Sequence, residues 1–145
     1  MEIKIKKLRE NAIIPSRGSL FAAGYDLYAC LDGENITIEP HKSAKIGTGI
    51  AAALPAGYFG AIFARSGLAI KHGITLANCV GVIDSDYRGE LKVGLVNISD
   101  KPFTVSNGER IAQFVITPVI TPAYNEVSDL DDTDRGSGGF GSTGK

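Results

Sequence analysis

Tryptophan is absent from this sequence, methionine occurs once, and cysteine occurs twice, at Cys30 and Cys79. The two thiols are far apart and belong to no CxxC pair or Cys/His cluster, which excludes a disulfide framework and a zinc site of the usual spacing. Two buried free thiols are expected. An excess of either charge is also missing: 15 Lys and Arg stand against 16 Asp and Glu, a formal net charge of -1. A protein that binds long nucleic acid needs a positive surplus to displace counterions, so no nucleic-acid polymer is expected as partner. Any link to nucleic acid would run through a small piece such as a nucleotide. No apolar run is long enough to span a bilayer, and Met1 to Glu10 (MEIKIKKLRE) alternates apolar and basic residues instead of presenting the apolar centre of a signal peptide. The expectation is a soluble protein without a membrane partner, cytoplasmic or otherwise intracellular.

Long helical periodicity is lacking as well. What is present is a series of short segments with strand chemistry: Ile3 to Leu8, Asp26 to Cys30, Asn35 to Ile38, Ala44 to Leu54, Tyr58 to Phe63, Glu90 to Asn97, Phe103 to Val105 and Arg110 to Val119. Leu91, Val93 and Leu95 alternate with Lys92, Gly94 and Val96, the period-2 pattern of a strand with one face more buried, and Ile36 and Ile38 do the same around Thr37. Eighteen glycines and six prolines supply the turns. With 145 residues and 43% hydrophobic content, one domain with a real core is the default. About eight short strands without crossover helices predict an all-β fold, a distorted jelly-roll or β-sandwich. One short helix is predicted over Ser66 to His72, opened by a serine able to cap free amides and closed by Gly73 in the left-handed conformation.

From Thr121 the texture changes. Pro122 breaks the last strand, an acidic stretch follows (Glu126, Asp129, Asp131, Asp132, Asp134), and the sequence closes on RGSGGFGSTGK from Arg135 to Lys145. Residues 1–120 read as the core and 121–145 as an extended C-terminal arm. GFGSTG, Gly139 to Gly144, matches GxGxxG, and Gly139 to Lys145 matches the start of a phosphate loop. Both motifs need a following helix whose amino terminus completes the anion site, and the sequence stops at Lys145, so neither reading is accepted. A flexible linker has no use for an aromatic. Glycines beside Phe140 let backbone approach a ligand while the ring stacks on a base, with Arg135, Ser142 and Thr143 turned to phosphates. The tail reads as a nucleotide lid.

Five motifs in order, spanning Ala23 to Gly144, resemble those of the trimeric dUTPase family. They are AGYDLYA (Ala23 to Ala29), ARSGLA (Ala64 to Ala69), NCVGVIDSDYRGE (Asn78 to Glu90), GERIAQ (Gly108 to Gln113) and the glycine-rich tail. Two positions depart from the family's usual form: Ala64 stands where proline is common, and Glu109 where aspartate is. The resemblance implies hydrolysis of dUTP to dUMP and pyrophosphate, which limits uracil in DNA and supplies dUMP for thymidylate synthesis. It implies Mg2+ as cofactor, held through water by Asp26, and a homotrimer with intersubunit sites. Arg65, Ser66 and Gly67 would bind the triphosphate, in keeping with the suitability of a helix start for anions. Asn78, Gly81, Val82 and Ile83 belong to the hairpin that would read the uracil edge, Tyr87 would pack under the deoxyribose, and Lys92 would join the substrate contacts. Asp84 would polarise the attacking water and Gln113 would point its amide at that water and the phosphate; these two are the catalytic pair. Arg110 would make a structural ion pair. Arg135, Phe140, Gly141 and Ser142 would close over the nucleotide.

Each residue also has a plainer reading. Taken singly, Asp26 is a surface carboxylate, Ser66 a helix cap, Asp84 a turn former beside Ser85 and Asp86, Tyr87 strand packing, and Gln113 edge-strand solvation. Thr121 to Asp134, fourteen residues, reaches about 45 Å when extended, whereas a globule of this size is about 38 Å across, so the arm is long enough to leave its own subunit. Two rivals are kept. A dCTP deaminase, of the same fold family, needs a glutamate where alignment by Gly89 puts Gly94; a nucleotide-binding module would keep the shape without turnover.

Overall fold

The computed structural model describes residues 1–139, so Phe140, Gly141, Ser142 and the rest of the predicted lid's tip lie outside the described residues. Eleven strands and one helix follow in order: β1 Lys4–Lys7, β2 Tyr25–Tyr28, β3 Ile36–Ile38, β4 Ser43–Gly47, β5 Ile50–Ala53, β6 Tyr58–Phe63, α1 Ser66–His72, β7 Ile74–Leu76, β8 Gly81–Ile83, β9 Lys92–Asn97, β10 Phe103–Val105 and β11 Arg110–Pro118. The all-β, distorted jelly-roll expectation holds, and the helix has the bounds read from the sequence. The strands pair antiparallel throughout, as β1-β5, β10-β3, β4-β9-β7 and β2-β11-β6-β8.

Alternation decides which faces close the core. Leu91, Val93 and Leu95 are each about 1% exposed while Lys92 points outward, and Ile38 is buried beside exposed Thr37. Ile46, Ile50, Leu27, Ile62, Ile111 and Phe114 join them from the other strands in one cluster. Burying an aliphatic side chain of this size is worth about 1.5–3 kcal/mol. Thr48 and Asn97 are the polar exceptions at 0% exposure; the Asn97 amide donates to the carbonyls of Ile38 and Lys101 while its oxygen accepts from Ser99, and Thr48 donates to the Leu91 carbonyl. That leaves no orphan to penalise the burial.

The predicted strand Ala44 to Leu54 is two strands. The chain turns at Gly49, whose φ of 65° is left-handed, and Thr48 donates its hydroxyl to the Leu91 carbonyl inside the turn. The segment Glu90 to Asn97 enters the ladder only at Lys92, and β7 and β8 are strands too short for their apolar pattern to stand out. Ser66 is not the helix cap: Arg65 occupies that position in extended backbone and no side chain caps the start. Gly73 closes α1 at φ 66° as expected. The thiol expectation is half right, since Cys30 is buried but Cys79 is exposed in the turn before β8. Residues 119–139 carry no helix or strand, and no helix among the described residues is long and apolar enough to cross a membrane.

Candidate active site

β11 runs through the middle of the four-stranded sheet and places Gln113 opposite Asp26 of β2 on one side and Phe63 of β6 on the other. One residue after Phe63 the chain leaves the sheet, so Ala64 and Arg65 sit at the same end as Asp26 and Gln113. Asp26 Oδ1 accepts from Arg65 Nε at 3.1 Å and Oδ2 from Arg110 Nη1 at 3.2 Å. Arg65 Nη1 also donates to the Arg110 carbonyl at 3.1 Å, and Gln113 Nε2 to the Ala64 carbonyl at 3.0 Å. The Asp26 side chain is 15% exposed and that of Arg65 24%. The expected ion pair of Arg110 is therefore present, with Asp26 as partner. Ser66 and Gly67 are exposed in the first turn of α1, beside Arg65. Two guanidiniums outnumber the single carboxylate here, and with the exposed first turn of α1 beside them the group is suited to an anion with several oxygens.

A second group is built on the hairpin. Val82, Ile83, Asp84, Tyr87, Glu90 and Lys92 line a pocket of about 150 Å³. Asp84 is exposed and its carbonyl accepts the Tyr87 amide at 3.2 Å, so the turn-former reading and a place on the pocket rim coexist. Tyr87 donates its hydroxyl to the Glu90 carbonyl at 3.1 Å and is 43% exposed. Lys92 Nζ lies 3.5 Å from Glu90 Oε2. Asn78 is exposed in the turn before β8, outside the pocket lining. Gly81 is buried, and a Cβ there would meet Ile62 Cβ at 3.0 Å, so its bare backbone makes room for a core side chain. Of the tail, Arg135 is exposed and its Nε donates to the Gly138 carbonyl at 2.9 Å.

Sequence reasoning passed over Arg9 and Glu90. Arg9 bonds Glu90 Oε1 through Nη2 and Asp32 through Nη1 at 2.8 Å. The Asp32 hydrogen bond comes first, burial opposes it, and Glu90 adds to it; together they hold the Arg9 guanidinium above its ordinary pKa, so it stays cationic. Glu90 closes the third motif, but nothing local to it points to a partner 81 positions earlier.

The two groups do not meet within one chain. Gln113 pairs with Phe63 and Ile83 with Gly60, three residues apart along β6. At ~3.3 Å per residue that is about 10 Å, with Asp84 a further step away. No hydrogen bond or ion pair joins the groups among the described residues. Nor do those residues include a cluster of three or more His, Cys, Asp or Glu able to cage a metal ion.

Fold and site define an all-β protein with an anion-suited sheet end and a separate small hairpin pocket. A family model described as dUTPase matches residues 10–144, and the chain belongs to the dUTPase family. It is 52% identical to the deoxyuridine 5'-triphosphate nucleotidohydrolase of Nautilia profundicola, over all of both chains. A mutant dUTPase of Staphylococcus bacteriophage 80alpha with dUpNHpp superimposes at a TM-score of 0.89 and 30% identity, covering 99% of each chain. A mutant dUTPase from phage phi11 of S. aureus, which coordinates a structural Mg(II) ion, superimposes at 0.82 and 26% identity, covering 91% of this chain and all of that one.

Proposed function

We propose that the chain hydrolyses dUTP to dUMP and pyrophosphate, by in-line attack of water on the α-phosphate. The observation that carries this is the pairing of Asp84 and Tyr87 on one hairpin pocket in a chain of this family. Asp84 draws the proton of the attacking water, which is worth about 10²–10⁴-fold. Arg65, Ser66, Gly67, Gln113 and Arg135 balance the charge that builds on the phosphate oxygens. Asn78, Gly81, Val82 and Ile83 present backbone to the uracil edge, Tyr87 underlies the sugar, and Lys92 adds a cation at the pocket. Phe140, Gly141 and Ser142, in the arm that begins at 121, close over the base. The proposed setting is intracellular, where the nucleotide pool is.

Magnesium is the proposed cofactor. Both Asp26 oxygens are already engaged by arginines, and among the described residues it belongs to no group of three or more His, Cys, Asp or Glu. That donor set does not build a cage, but it fits an ion that keeps its waters, arrives on the substrate's phosphates and is met by Asp26 through water. When bound, the ion supplies neutralisation of phosphate charge.

The distance between the groups along β6 supports an assembly in which Asp84 of one subunit faces Arg65 and Gln113 of another, and we propose a homotrimer. The test is incubation with dUTP, dCTP and UTP plus magnesium, with products identified by chromatography. dUMP and pyrophosphate from dUTP alone are expected. Untouched dUTP would sink the proposal, and release of ammonia from dCTP would assign a deaminase instead.

A further inference from the structure

We propose that Arg9 and Glu90 are positioning residues that fix the ring of Tyr87, and that this fixation, together with the ring itself, sets the preference for 2'-deoxyribose over ribose. The inference rests on the dUTPase reading and deepens it.

Glu90 is a carboxylate whose side chain is 17% exposed, and it is held from three sides. Oε1 accepts from Arg9 Nη2 and from the Gly49 amide at 2.8 Å, and Oε2 lies 3.5 Å from Lys92 Nζ. A carboxylate so far withdrawn from water is kept in place by its partners, because leaving any of them unmade carries a desolvation cost. The backbone carbonyl of the same residue accepts the Tyr87 hydroxyl at 3.1 Å. The position of Tyr87 is thus referred, through Glu90, to the N-terminal segment and the β4–β5 turn, both far away in sequence. Backbone has been cleared for this. A Cβ on Gly47 would stand 2.6 Å from Glu90 Oε1 and 2.7 Å from Arg9 Nη2, and one on Gly89 would collide with the Tyr87 hydroxyl.

Two consequences follow for a sugar resting on the ring. The Tyr87 hydroxyl, already donating to Glu90, has no proton to offer a 2'-hydroxyl. The ring, lying against Gly89, is held where it stands and does not retreat to make space. Discrimination between dUTP and UTP then depends on how firmly Glu90 is anchored as well as on the presence of a tyrosine.

The experiment measures kcat/KM for dUTP and UTP in the full chain, with the thermal midpoint of each variant alongside. For Glu90→Ala and for Arg9→Met the dUTP-to-UTP ratio is expected to fall about tenfold, the low end of what one extra group in a fitted pocket is worth. Glu90→Gln keeps an acceptor for Gly49 and is expected to restore most of the ratio. The double variant Arg9→Met/Glu90→Ala is expected to fall no further than either single one, because the two act as one unit. If dUTP and UTP turnover decline in parallel with an unchanged ratio, the pair is only a staple for the N-terminal segment and the inference is overturned. Should Glu90→Ala not fold, Arg9→Met and Arg9→Lys carry the same test from the partner's side. A wild-type protein inert towards dUTP overturns the parent reading and this one with it, whereas normal turnover with unshifted variants overturns this one alone.

Discussion

Asp26 and Gln113 are register partners across β2 and β11, yet their side chains are committed to different neighbours: the carboxylate to Arg65 and Arg110, the amide to the Ala64 carbonyl. The sheet therefore delivers a charge-balanced carboxylate and an immobilised amide to one end. Asp26→Asn removes the negative charge and turns one of the two accepting oxygens into an NH2 donor, so one guanidinium loses its acceptor and the other keeps only a neutral one. We expect a stability loss of about 1–3 kcal/mol, reduced by the exposure of Arg110, and a higher magnesium concentration for half-maximal rate. Thermal unfolding and a magnesium titration of turnover check the two effects separately. An unchanged titration would remove Asp26 from metal binding.

Asp84 stands exposed on the pocket rim without a side-chain partner among the described residues. Nothing in the fold depends on its charge, so Asp84→Asn should leave the unfolding midpoint within error. Turnover should fall by about 10²–10⁴-fold, the usual scale of lost general-base help, while a non-hydrolysable dUTP analogue still binds by calorimetry. Near-normal turnover would take Asp84 out of the mechanism.

What could be read from the sequence differs by the range of the physics involved. Helix α1 and the alternating strands β3 and β9 rest on local periodicity and on Gly73, and they were legible. Strands β7 and β8, three residues each, owe their existence to partners in β9 and β6, and no local pattern announces them. Candidate site residues were legible as motifs, but which of them stand together was not. The end of the sheet that gathers Asp26, Arg65 and Gln113 is set by register across three strands. The Arg9–Glu90 pair joins residues 81 positions apart and has no local signature at all. Ser66 misled because a serine at a helix start usually caps, whereas here Arg65 takes that position.

Gly81 tests whether the hairpin is placed by the core or by its own turn. Its backbone lies against Ile62, which is 2% exposed, and the added methyl of Gly81→Ala would stand 3.0 Å from Ile62 Cβ. We expect destabilisation of about 1–3 kcal/mol from overpacking, together with weaker dUTP binding as β8 moves off β6. If binding weakens while stability is unaffected, the glycine serves the base and not the core.

Assembly gives the last test. If Asp84 of one subunit works with Arg65 and Gln113 of another, two inactive variants can repair each other. Asp84→Asn and Gln113→Ala, each impaired alone, are co-expressed at equal amounts and purified as a mixture. A site then needs its Asp84 from the second variant and its Gln113 from the first. Random association into a closed symmetric ring makes about a quarter of sites fully intact, so activity should recover to about a quarter of wild type. Sites built within a single chain contain one defect each, and the mixture would then perform no better than the average of the two variants. Light scattering on the same sample fixes the number of subunits: a monomer would break the proposal, because the separation of about 10 Å along β6 would then have nothing to bridge it.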